Sequence, residues 1–159
     1  MSAAEDAHED PARLARRLLR GAESASLATI ERDGGGPYAS LVLVAADEDG
    51  SPILLLSDLA GHSRNLAADD RASLLFDGTA GLEDRLTGPR LTLLGRAIAS
   101  DAPRHRAGFL ARHPGAAQYA DFGDFRFYRV AVERAHLVAG FGRVHAISAD
   151  DLLCPESVG

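Results

Sequence analysis

The chain contains no lysine and no tryptophan, and a single cysteine among its 159 residues. Without lysine there is no Schiff-base amine and no ammonium clamp for phosphate. Any anion site must therefore use arginine, whose planar guanidinium binds oxyanions through two parallel donors. All seventeen cationic residues are arginines. The lone Cys154 has no partner for an internal disulfide, which favours a reducing, cytoplasmic setting. One cysteine and six scattered histidines show no ligand spacing, so no metal site is expected. No apolar run approaches the ~20 residues of a membrane helix, and the acidic, alanine-rich stretch Met1 to Asp10 does not read as a signal peptide. A net charge of −6 and a pI near 5.4 argue against a nucleic-acid binder, which needs excess cations to displace counterions. Phosphate loops of the Walker and dinucleotide kinds are missing too. No serine sits in a Gly-x-Ser-x-Gly elbow and nothing pairs a particular histidine with a particular aspartate, so a Ser-His-Asp hydrolase is not expected.

What is present reads as one domain. An apolar content of 46% over this length buries one sizeable core. Residues 1–9 read as disordered, 10–153 as the domain and 154–159 as a tail. Asp10 before Pro11 signals a helix that Gly21 ends, with Leu14, Leu18 and Leu19 on its apolar face. Arg13, Arg16, Arg17 and Arg20 read as a solvated face. From Ser26 the period changes to that of strands: Leu27 to Ile30, Tyr38 to Ala46 and Pro52 to Leu56, separated by turns at 33–37 and 47–50. Leu41 to Ala46 and Ile53 to Leu56 are nearly continuous apolar runs, which suggests strands covered on both faces and a second copy as one of the covers. A short helix over 61–68, a strand over 72–76 and a polar loop over 77–89 follow. A strand over 90–100, a helix over 103–112, a short helical piece ending near Tyr119, and strands over 125–132, 135–139 and 144–147 complete a mainly antiparallel barrel with a few helices.

The chemistry-bearing segment is Leu54 to Leu66, where a buried strand gives way to a helix. Free amides and the helix dipole make such a corner an anion site, and Ser57, His62, Ser63, Arg64 and Asn65 add donors. The alternative is an ordinary helix start, with Asp58 or Ser63 satisfying the amides and His62 and Arg64 in solvent. His8, His105, His113, His136 and His145 read as surface or turn residues, His145 lying beside the turn Gly140 to Arg143.

Leu27-Ala-Thr-Ile30, Pro37-Tyr-Ala-Ser40, the Leu54 to Leu66 corner, Arg71-Ala-Ser-Leu-Leu-Phe76 and Leu93-Leu-Gly-Arg-Ala97, in this order, resemble the pyridoxamine-phosphate-oxidase-like, flavin-mononucleotide (FMN)-binding split β-barrels. The corner, together with Gly140-Phe-Gly-Arg143, is similar to the haem-utilisation (HugZ-like) branch. The resemblance implies an antiparallel, Greek-key-like split barrel and a homodimer with FMN at the interface. Ser40, Ser57, His62, Arg64, Asn65 and Arg143 are then the cofactor-binding positions. It implies a flavin-dependent oxidoreductase acting on a small-molecule redox substrate or a reductase partner. The alternatives are a haem-binding or haem-degrading protein, with His136, His145 or an open interface site as axial contact, and a non-catalytic flavin module. Ser40 and Ala45 stand where pyridoxamine-phosphate oxidases carry arginine and lysine, so that particular oxidation is not expected.

Overall fold

A computed structural model describes residues 9–154; the expectations for residues 1–8, His8 among them, and for 155–159 lie outside the described residues. Helix α1 (Pro11–Gly21) starts as the sequence indicates. The Asp10 carboxylate accepts the Arg13 amide at 3.2 Å, and Leu14, Ala15 and Leu19 are buried. Arg13 is solvated as expected, but Arg16, Arg17 and Arg20 are partly buried and engaged, which corrects the expectation for them. Arg17 pairs with Glu9, Arg16 donates to the Asp151 carbonyl, and Arg20 donates to the carbonyls of Glu48 and Cys154.

Strand β1 (Ser24–Ile30) pairs with β2 (Pro37–Leu43) across a turn in which Gly34 and Gly35 take positive φ, where a side chain would be strained. The single strand expected over 38–46 is interrupted at Val44. The amide there donates to Glu23, and β3 (Ala45–Ala46) begins a separate hairpin with β4 (Pro52–Ser57). Then come α2 (Gly61–Ala68), β5 (Arg71–Asp77), β6 (Arg90–Ser100), α3 (Pro103–Arg112) and a 3-10 turn over Pro114–Gln118. They are followed by β7 (Phe125–Gly140) and β8 (Arg143–Ser148). The two short strands expected over 125–139 are one, β7. Beyond β8 a helix not expected from sequence, α4 (Ala149–Leu152), is capped by the Ser148 hydroxyl and buries Leu152.

The sheet runs β2-β1-β5-β6-β7-β4-β3, antiparallel throughout, with β8 on the half of β7 that β4 leaves free. Its path is open, yet Val44 alone separates β2 from β3, so the chain itself joins the two ends of the sheet. The inward face holds the main core, with Leu27, Leu54, Leu74, Phe76, Leu93 and Leu137 buried. Helix α3 covers the outward face of β3, β4 and the first half of β7 through a second core of Phe109, Ala116, Ala45 and Ile53. Strand β4 is thus covered on both sides, as its apolar run suggests. In β2, by contrast, Leu41 is 76% exposed. No helix among the described residues is long and apolar enough to cross a membrane.

Two further expectations are overturned where α3 docks. His105 is buried rather than at the surface, and it lies 2.9 Å from the Asp47 carboxylate and 2.5 Å from the Ser100 hydroxyl. One histidine is therefore paired with one aspartate and one serine. His113 keeps its place at a helix end, where its Nε2 donates to the Val44 carbonyl at 2.7 Å.

The β6/β7 ladder shifts register between Leu94 and Gly95, leaving Glu133 as an extra residue on β7. Gly95 is required there, because a Cβ would overlap the Ala131 carbonyl oxygen. Gly95→Ala is expected to lower unfolding free energy by about 1–3 kcal/mol or more, read from urea unfolding, since both neighbours are backbone in a paired ladder and cannot yield cheaply.

Candidate functional site

Strand β4 ends at Ser57 because its hydroxyl turns the chain out of the sheet. It donates to the Asp124 carboxylate at 3.1 Å and accepts the Leu59 amide at 3.2 Å. Asp58 pairs with Arg126 at 2.9 Å, so it does not cap the following helix. Ala60 precedes α2 with no side-chain cap, and the amides of Ser63 and Arg64 both turn back to its carbonyl. Those of Gly61 and His62 have no acceptor among the described residues. Gly61 lies against β2, where an added Cβ would sit 3.3 Å from the Tyr38 hydroxyl.

The six positions implied by the resemblance separate into distinct roles. Ser40 on β2 and His62 on α2 come together, with the hydroxyl 3.0 Å from Nδ1, and burial holds the His62 imidazole below its ordinary pKa. Asn65 turns inward, donating to Thr29 at 3.1 Å and accepting the Arg32 amide at 3.2 Å, and so fastens α2 to β1. Ser57 is likewise occupied by Asp124. Arg64 is exposed and has no partner among the described residues. Arg143 opens β8 opposite Gly140, at the far end of the 16-residue β7 from Phe125, which pairs with Ser57. It is not part of the corner. Sequence reasoning named Ser63 as a donor without distinguishing it from its neighbours. It is only 4% exposed, its hydroxyl has no partner, and it lines a cavity of about 500 Å³ with Arg64, Arg126 and Tyr128.

A second feature lies on the outward face of the sheet. In register across six strands stand Leu41, Ser26, Leu75, Thr92, His136 and Ala146. At ~4.8 Å per strand spacing this row spans about 24 Å. Two cavities of about 480 and 620 Å³ open along the face and share Leu94 and Arg134 as lining. The first is walled mainly by apolar side chains, and the second carries His136. Neither Arg134 nor His136 has a hydrogen-bond or ion-pair partner among the described residues. Arg90 and Arg71 on the same face are engaged, the one with the Leu86 and Gly88 carbonyls and the other with Asp69. His136 was placed at the surface by sequence, and the strand period puts Arg134 beside it on one face. What periodicity does not show is that nothing covers them. His145 alternates to the inward side opposite Leu137, with its Nε2 buried and unpartnered.

A curated relative, the chloroplastic non-canonical heme oxygenase HOZ of Arabidopsis thaliana, is 39% identical over 144 residues, covering 84% of this chain and 44% of that protein. A solved heme-binding protein from Mycobacterium smegmatis is 32% identical, with a TM-score of 0.81 over 96% of this chain and 60% of its own. The chain thus spans less than two thirds of either relative. A general-stress-related protein of the pyridoxinephosphate oxidase family from Clostridium acetobutylicum shares the fold, at 14% identity and a TM-score of 0.65 over 89% of this chain and 96% of its own. The family pattern described as CREG, beta-barrel matches residues 6–153. An open antiparallel sheet whose ends are joined through Val44, matched over nearly its whole length by that pattern, makes this chain a member of the CREG beta-barrel family of split barrels.

Proposed function

We propose that this protein binds haem on the outward face of its sheet. The observation that carries the reading is the unpartnered pair Arg134 and His136 on an uncovered, largely apolar face. A porphyrin is a flat apolar plate with an axial coordination site at its centre and carboxylates at one edge. The face offers each complement. Leu94, Ala28 and Leu75 would give apolar contact, the His136 imidazole would offer a nitrogen to the iron, and the Arg134 guanidinium would offer two donors to a propionate carboxylate. Haem, when bound, supplies iron-centred oxygen chemistry, with the protein setting its axial contact and the polarity around it. The names of the plant and mycobacterial relatives support the same ligand. A second copy of the chain packed on this face would enclose the plate and cover Leu41 and Leu75, which accords with the homodimer that the family resemblance implies.

Adding haem to the purified protein is expected to give a saturable Soret band, with the loaded species running at twice the 16.8 kDa chain mass. His136→Ala is expected to shift or abolish that band, and Arg134→Ala to weaken binding while keeping its position. A band no stronger than that given by an unrelated apolar protein overturns the reading.

The corner favours a second reading, binding of a flavin through its phosphate monoester. Its support is the buried, unpartnered Ser63 hydroxyl beside the unpartnered Arg64 and the free Gly61 and His62 amides, a donor set suited to a phosphate dianion. Arg64→Ala is expected to weaken FMN binding by about 1–3 kcal/mol, measured by quenching of flavin fluorescence, with urea unfolding unchanged. A protein that takes up no flavin removes this site. An equal affinity in the variant removes Arg64 from it.

A further inference from the structure

The network that docks α3 has the connectivity of a nucleophile, a base and an orienting carboxylate. The Asp47 carboxylate lies 2.9 Å from His105 Nε2, and His105 Nδ1 lies 2.5 Å from the Ser100 hydroxyl. A carboxylate only accepts, so Nε2 carries the proton and Nδ1 is left to accept from the serine. Burial raises the Asp47 pKa, but hydrogen bonds from Arg104, the Glu48 amide and His105 outweigh it and hold the carboxyl below its ordinary range. Asp47 is therefore the fixed anion that orients the ring and stabilises the imidazolium formed on proton transfer. Three separate elements supply the residues: the β3–β4 turn, the end of β6 and the first turn of α3.

Ser100 is half-buried, its hydroxyl oxygen also accepts the Ala102 amide at 3.2 Å, and it lines a cavity of about 390 Å³ whose other walls include Ala99, Phe125 and Phe127 and the charged Asp101, Arg106 and Arg126. The Arg104 amide, at the start of the same helix, has no acceptor among the described residues. We propose that Ser100 is a nucleophile of an esterase site for small acyl or aryl esters. The site is separate from the haem face and adjoins the corner cavity, with which it shares Ala99 and Arg126 as walls. The Ser100 oxygen bonds to the ester carbonyl carbon while its proton passes to His105 Nδ1. The carbon–alkoxy bond then breaks and the leaving alcohol takes that proton. Water attacks the acyl-serine, again giving a proton to Nδ1, and the serine leaves with it, so that acid and alcohol are released and the site is restored.

The test is labelling of the intact protein with an alkyl fluorophosphonate, which reacts with activated serines, followed by peptide mass mapping. Hydrolysis of p-nitrophenyl butyrate is followed in parallel. The expected result is one adduct per chain on the peptide carrying Ser100, absent from urea-unfolded protein. Ser100→Ala should lose both adduct and hydrolysis while its Soret band on haem addition stays as in the parent. His105→Gln should slow labelling on the order of 10²-fold, as loss of a general base does. Because that variant also removes a buried hydrogen bond, the labelling of the unsubstituted protein decides. An adduct on any other residue, equal labelling before and after unfolding, or no adduct on folded protein each overturns the proposal.

Discussion

One extra residue on one strand sets what this molecule can present to a ligand. Strand β7 pairs along one edge with β6 over nearly its whole length, and along the other first with β4 and then with β8. Side chains alternate faces along a strand, so a shift of one residue exchanges every inward residue for an outward one. Before the bulge Tyr128 and Val130 point into the core. After it Ala135, Leu137 and Ala139 do. Glu133 takes up the change of parity. Arg134 and His136 consequently face outward; were β7 to alternate regularly through Glu133 instead of bulging there, they would be carried into the barrel, where a guanidinium could not be solvated. Gly95 permits the insertion, because only a residue without a side chain lets β6 approach the Ala131 carbonyl so closely.

The same bulge explains what the sequence did and did not reveal. Helices α1, α2 and α3 and strand β6 were legible within a residue, since Asp10, Gly61, Pro103 and the alternation of 90–100 are local signals. Strand β7 was read as two pieces because its period breaks at Glu133, and a local reading takes a broken period for a turn. The pause at Val44 was hidden in a continuous apolar run, and α4 in a short polar tail. Periodicity led to a mainly antiparallel barrel with a few helices, and the family order of motifs to the split barrel in particular.

For the candidate sites, residue type was legible and occupancy was not. Ser57 and Asn65 stand at the corner, but Asp124 and Thr29, distant in sequence, already engage them. Ser63 matters for the opposite reason, because nothing engages it. The absence of lysine leaves arginine at each charged position considered, and there the difference lies in pairing: Arg71, Arg96 and Arg126 have carboxylates beside them, whereas Arg64 and Arg134 have none. Asp47, His105 and Ser100 were invisible as a set because they belong to three elements brought together only when α3 docks.

The arginine ties of α1 bear on the order in which the molecule assembles. Arg16 and Arg20 reach carbonyls of Asp151 and Cys154, more than 130 positions further along the chain. Helix α1 therefore cannot finish its polar contacts until β8 and α4 are in place, although it is the first element of the described chain. Loop closure over such a span is slow compared with a hairpin. In the folded chain α1 thus ties the first described element to the last, over the buried Leu14 and Leu19.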